Sequence, residues 1–108
     1  MRLKALFILM FFVSSLFATI EDGRLSYRKL CMDCHGDGKK GAVMATQDGW
    51  IKLFKDDAKD LKQKHEQTKA KGLFVSDEYK KASKNMFDFL KEYASDSGNI
   101  PGCGDSCD

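Results

Sequence analysis

Apolar residues recur along most of the chain at steps of three and four, and no stretch shows the strict alternation of a half-buried strand. Steps of three and four stack side chains on one helical face, whereas alternation would send them to opposite faces of a sheet. An all-α chain is therefore expected. The first helix is predicted from about Gly23 to Cys34, with Asp22 as its N-cap and Leu25, Tyr27 and Leu30 as its apolar residues. Gly36, Gly38 and Gly41, with Lys39 and Lys40 among them, then read as a loop. A second helix should begin near Asp48, where Trp50, Leu53, Phe54, Ala58, Leu61 and His65 share one face. His65 closes that stripe and Gly72 ends the region. Ser76, followed by Asp77 and Glu78, should cap a third helix whose stripe is Tyr79, Ala82, Met86, Phe89, Leu90 and Tyr93. The stretch from Ser95 to Asp108, SDSGNIPGCGDSCD, is a loop by composition.

The N-terminus departs from this pattern. Arg2 and Lys4 precede an uninterrupted apolar run from Ala5 to Val13, and small residues follow at Ser14, Ser15 and Ala18. This is the layout of a secretory signal peptide, and the run is shorter than the roughly 20 apolar residues of a membrane span. The expected organisation is a signal peptide over 1–18, one small domain over 19–94 and a C-terminal tail over 95–108 with Cys103 and Cys107. Export to the periplasm is implied, with no stable membrane span after cleavage. Losing Arg2 and Lys4 leaves 16 basic against 16 acidic residues. The overall charge of +2 thus gives no reason to expect nucleic acid as a partner. Charge is uneven all the same: ten Lys against six acids lie between Ile51 and Asn85, and five acids against Lys91 alone lie beyond.

Candidate chemistry lies in CMDCH, residues 31 to 35. Two thiols three positions apart and an adjacent imidazole serve a covalent c-type haem, a zinc site or a dithiol redox centre. A haem uses the two thiols for its two vinyl groups and the imidazole as proximal iron ligand, which Cys31, Cys34 and His35 supply in order. Zinc needs a fourth ligand, from Cys103 or Cys107, and neither a second CxxC pair nor ribbon-like strands are present. A dithiol centre calls for a βαβ context, which the helical periodicity opposes.

Residues 23 to 38, GRLSYRKLCMDCHGDG, resemble the opening of a class I c-type cytochrome: Gly23, Tyr27 four residues before the first thiol, then Cys31, Cys34, His35 and Gly36. FLKEYAS, from Phe89 to Ser95, resembles the last helix of that family, whose aromatic residue, here Tyr93, crosses the first helix near the glycine. The resemblance implies a cytochrome c-like fold of three to four helices around one covalent haem c, with one haem edge exposed. It also implies a sixth iron ligand, usually a Met in a loop before the last helix, and the matching stretch KAKGLFVSDEY holds none.

The distal position then falls to Met44, Met86, Met32 or His65. Met86 lies within an apolar helical stripe, Met32 lies inside the haem motif, and Met44 is only nine residues past His35. His65 is favoured because a histidine finishing an apolar face can present its ring to a buried iron. The expected metal ligands are therefore His35 and His65. Lys62, Lys64 and Lys69 should ring the exposed rim, where they could steer an acidic partner. The function expected is single-electron transfer by a monomer between a membrane-derived donor and an oxidoreductase, with redox proteins as partners and no catalysis of its own. The alternatives are a haem-based binder of diatomic gases and a cytochrome subunit held in a larger enzyme. Cys103 and Cys107 are expected to form a local disulfide.

Overall fold

The structure is a computed structural model and describes residues 18–102; the expected signal peptide, apart from Ala18, and both tail cysteines lie outside the described residues. It is all-helical, and no strand occurs among the described residues. Helix α1 covers residues 18–30, α2 is the single turn Met32–His35, and α3 is the short helix Gly38–Ala42. Helix α4 spans Gln47–Lys64, a 3-10 turn spans Lys71–Val75, and α5 spans Asp77–Glu92.

Two predicted boundaries move. Helix α1 is already under way before Asp22, so Asp22 sits within the helix and is not its N-cap. The glycine-rich stretch expected as a loop contains α3, because the Asp37 carboxylate accepts from the Lys40 amide and caps a new helix start. The cap of α5 is as expected: Ser76 Oγ accepts from the Tyr79 amide, and Asp77 and Glu78 lie in the first turn. Helix α4 is capped by Thr46, whose hydroxyl accepts from the Gly49 amide.

Helix α4 is also broken, which the periodicity does not reveal. Lys55 is extended, and Asp56, Asp57 and Ala58 follow with φ of 53°, 55° and 55°. No glycine is among them. For an L-residue the left-handed conformation costs roughly 1–2 kcal/mol each, and least for Asp. Two right-handed stretches, 47–54 and 59–64, are therefore joined by a left-handed turn. Ala58, at its end, is 2% exposed.

The core has two clusters. One joins Tyr27, Ala42, Trp50, Phe89, Leu90 and Ala94; the other joins Phe74, Tyr79 and Met86. Cys31 packs at the border of both. Helices α1 and α5 approach closely at Gly23, where a side chain would run into the Asn85 carbonyl and Phe89 Cβ. Asn85 and Phe89 of α5 meet the glycine directly, and Tyr93, one turn further along with its ring 5.4 Å from that of Phe89, lines a cleft with Ile20 and Arg24 of α1. Leu25, expected on the buried face, is 48% exposed. Two cross-links hold the start of α4 to the segment after α5: the Gln47 amide donates to Asp96 Oδ1 at 2.8 Å and the Ser95 amide to the Ala45 carbonyl at 3.0 Å.

Candidate cofactor site

The turn that carries the motif is shaped by short-range bonds. The amides of Cys34 and His35 donate back to the Cys31 carbonyl, at 3.3 and 3.1 Å, and that of Gly36 to the Met32 carbonyl at 2.9 Å. Gly36 then leaves the turn at φ 79°, a conformation that glycine adopts without steric cost. The buried Tyr27 holds this exit. Its hydroxyl donates to the Gly36 carbonyl at 2.8 Å and is 3.3 Å from that of Asp37, and Gly41 packs directly against its ring.

Cys31, Cys34 and His35 border a cavity of about 560 Å³. Its walls are mostly apolar, with Leu30, Trp50, Leu53, Phe54, Leu61 and Leu90 among them. Exposed residues in the lining, Cys34, Met44, Lys64 and Lys69, mark its mouth. That volume lies within the roughly 300–1,000 Å³ typical of pockets for organic ligands. A second cleft, of about 200 Å³ between Ile20, Arg24, Phe89, Tyr93 and Pro101, contains none of the candidate residues.

His65 lines the same cavity from the C-terminal end of α4, and its ring centre is 5.9 Å from that of His35. The two rings are steeply inclined, at 76°. His65 Nδ1 is 2.7 Å from the Leu61 carbonyl oxygen. A carbonyl can only accept, so Nδ1 carries a proton and donates, which in the neutral ring leaves the lone pair on Nε2. Such a second bond on the far nitrogen is how proteins orient an imidazole for metal binding. Phe74 supports the ring at a centroid distance of 4.9 Å, and Tyr79 meets Phe74 edge-on at the same spacing.

The competing methionines stand differently. Met44 lines the mouth and is 59% exposed; Met86 is 1% exposed and packed with Phe74 and Tyr79. Met32 is half-buried against the first core cluster and does not line the cavity. Of the three lysines expected at the rim, Lys64 and Lys69 line the mouth, while Lys62 is paired with Asp57 at 2.9 Å.

Neither Cys31 nor Cys34 is in a disulfide. Burial first, and then the neighbouring Cys34, push the Cys31 thiol up to about 11. Reactive dithiol centres depend on a thiolate stabilised well below its ordinary value, which the burial of Cys31 does not favour at that position. Among the described residues no group of three or more His, Cys, Asp and Glu side chains gathers around a common point, as a closed zinc centre requires.

No protein-family model matches the chain, and neither a curated protein nor a solved structure matches it. Among the described residues no helix is long and apolar enough to cross a membrane.

Sequence reasoning missed three contributors. The Leu61 carbonyl could have been found from its i, i+4 relation to His65. Phe74 lies in the stretch read only for its lack of methionine. The bond from Tyr27 to the exit of the motif depends on how the chain turns at Gly36, which has no signal in the spacing.

Proposed function

We propose that the protein is an exported, periplasmic monohaem c-type cytochrome that carries single electrons between redox proteins. The observation that carries this reading is that His35 and His65, their ring centres 5.9 Å apart, line one apolar cavity whose border also holds Cys31 and Cys34. An imidazole nitrogen holds a first-row metal at about 2.0–2.1 Å, and roughly 1 Å from nitrogen to ring centre on each side puts two opposed imidazoles about 6 Å apart. The observed 5.9 Å agrees with this. Bound there, haem c supplies reversible one-electron exchange at its iron.

Each residue then has a defined task. Cys31 and Cys34 would provide the two thioether sulfurs and His35 a ligand to the iron, its backbone fixed by the turn and by Tyr27. His65 would offer Nε2 to the same iron, because the Leu61 carbonyl holds Nδ1. The apolar walls would keep water from the bound group, and Lys64 and Lys69 give the mouth a positive margin.

Mass spectrometry of the exported protein tests attachment: a mass without the increment of one haem refutes the reading. Absorption spectra test ligation. Wild type should be low spin when ferric and, once reduced, indifferent to carbon monoxide, whereas His65→Ala should bind carbon monoxide readily. A wild-type protein that itself binds carbon monoxide would instead support the gas-binding function.

A further inference from the structure

We infer that the left-handed turn at Asp56, Asp57 and Ala58 is the positioning device that delivers His65 to the cavity; this rests on the haem reading above. The stretch from Gln47 to Lys64 has the composition of one continuous helix. It nevertheless leaves the right-handed conformation at Lys55 and re-enters it at Lys59, after three consecutive positive φ values without a glycine. Such an arrangement persists only where surrounding contacts over-determine it.

Those contacts are visible on both sides of the turn. Before it, Trp50 is locked in the first core cluster, its indole N–H donating to the Ala42 carbonyl at 2.8 Å, and Phe54 lies 5.3 Å from Phe87. Ala58 is buried within the turn. After it, Leu61 packs on the second cluster and His65 on Phe74. Trp50, Leu53 and Phe54 on one side and Leu61 and His65 on the other line a single cavity. A straight helix would send residues 59–65 along the axis set by 47–54. The turn re-aims them. Its cost is met by packing that includes the seating of His65, so the turn and the position of that ring are coupled.

Asp56 isolates the backbone effect, since its side chain is exposed and makes no ion pair among the described residues. Glycine accepts positive φ freely, and a β-branched residue there is a genuine outlier. In the full-length holoprotein, Asp56→Gly should keep the low-spin spectrum and resist trypsin at Lys55 and Lys59 at least as well as wild type. Asp56→Val should be cut faster at those lysines and should admit carbon monoxide to the reduced protein. Carbon monoxide, to which the reduced wild type is indifferent, should then bind measurably as the population with His65 withdrawn grows. Asp56→Asn, which tolerates the left-handed region, should behave as wild type and so exclude a charge effect.

If Asp56→Val retains one haem, a native low-spin spectrum and wild-type resistance to both carbon monoxide and trypsin, the positioning role is wrong while the haem reading stands. If no variant carries haem, the haem reading itself fails. The turn is then judged by melting temperature alone, where Asp56→Gly above wild type and Asp56→Val below it supports the strained turn, and the reverse order overturns it.

Discussion

Replacing Gly23 by alanine sets two effects of opposite sign against each other. Gly23 lies inside α1, where exchange of glycine for alanine favours the helix by about 1 kcal/mol. Propensity alone thus predicts a more stable protein. A Cβ at this position, however, would overlap the backbone carbonyl of Asn85 and lie 2.8 Å from Phe89 Cβ. Neither obstacle is the free end of a flexible side chain, so α1 and α5 must separate. Overpacking of a filled core costs typically 1–3 kcal/mol, and the backbone clash puts Gly23 at the upper end. The expected net loss is about 2 kcal/mol, which for a domain of this size lowers Tm by roughly 8–16 °C. Thermal unfolding followed by far-ultraviolet circular dichroism measures it directly. Gly72→Ala is the control: nothing lies within 4 Å of its added carbon, and a small gain of about 0.4–1 kcal/mol is expected. A Gly23→Ala protein that melts above wild type would show that the two helices do not cross here.

Three further outcomes are expected. Met86→Ala should cost about 2–5 kcal/mol in denaturant titrations, because Met86 is packed with Phe74 and Tyr79, yet leave the low-spin spectrum intact; loss of that spectrum would make Met86 the distal ligand. Ser76→Ala should destabilise by about 1 kcal/mol through loss of the α5 cap, with Ser76→Asn recovering most of it, and no recovery would deny the capping role. Stability should fall as pH rises above about 10, the ordinary tyrosine value. The tyrosine at position 27 is raised, first by burial and then by Cys31 and Asp37, and those at 79 and 93 are raised by burial. The folded state therefore holds its phenolic protons more tightly than the unfolded chain, so their contribution is complete below that pH and is lost above it. Tyr27→Phe should flatten the alkaline slope, and an unchanged slope would remove Tyr27 from this account.

Helix existence was legible because three-and-four spacing reports burial on one face. Tyr79, Met86, Phe89 and Leu90 are all buried on α5, and the Ser76 cap marks its start. Boundaries that rest on other information were not legible. Asp22 resembles a cap by type, yet α1 is already formed before it. Helix α3 arises because Asp37 satisfies an amide three residues on, within a stretch whose glycines suggest only a turn. The break in α4 is hidden most deeply. Asp56, Asp57 and Ala58 are compatible with an ordinary helix, and only tertiary packing on both flanks selects the left-handed path.

For the cavity, several lining residues were legible while the means of placing them were not. Spacing puts Cys31, Cys34 and His35 on one turn, and the apolar stripe singles out His65, but that stripe assumes a helix running unbroken from Trp50 to His65. The helix is broken, and both halves nonetheless face the same cavity. Two right-handed segments joined by a left-handed turn can aim at one point in a way that a straight helix of the same length cannot. Burial on either flank constrains each half separately, so a periodic pattern survives although the axis does not. The stripe therefore identified which side chains meet, and the turn determines how they do so. That division explains why His65 could be singled out from its neighbours Leu61 and Phe54, while its supports, the Leu61 carbonyl and Phe74, emerged only with the structure.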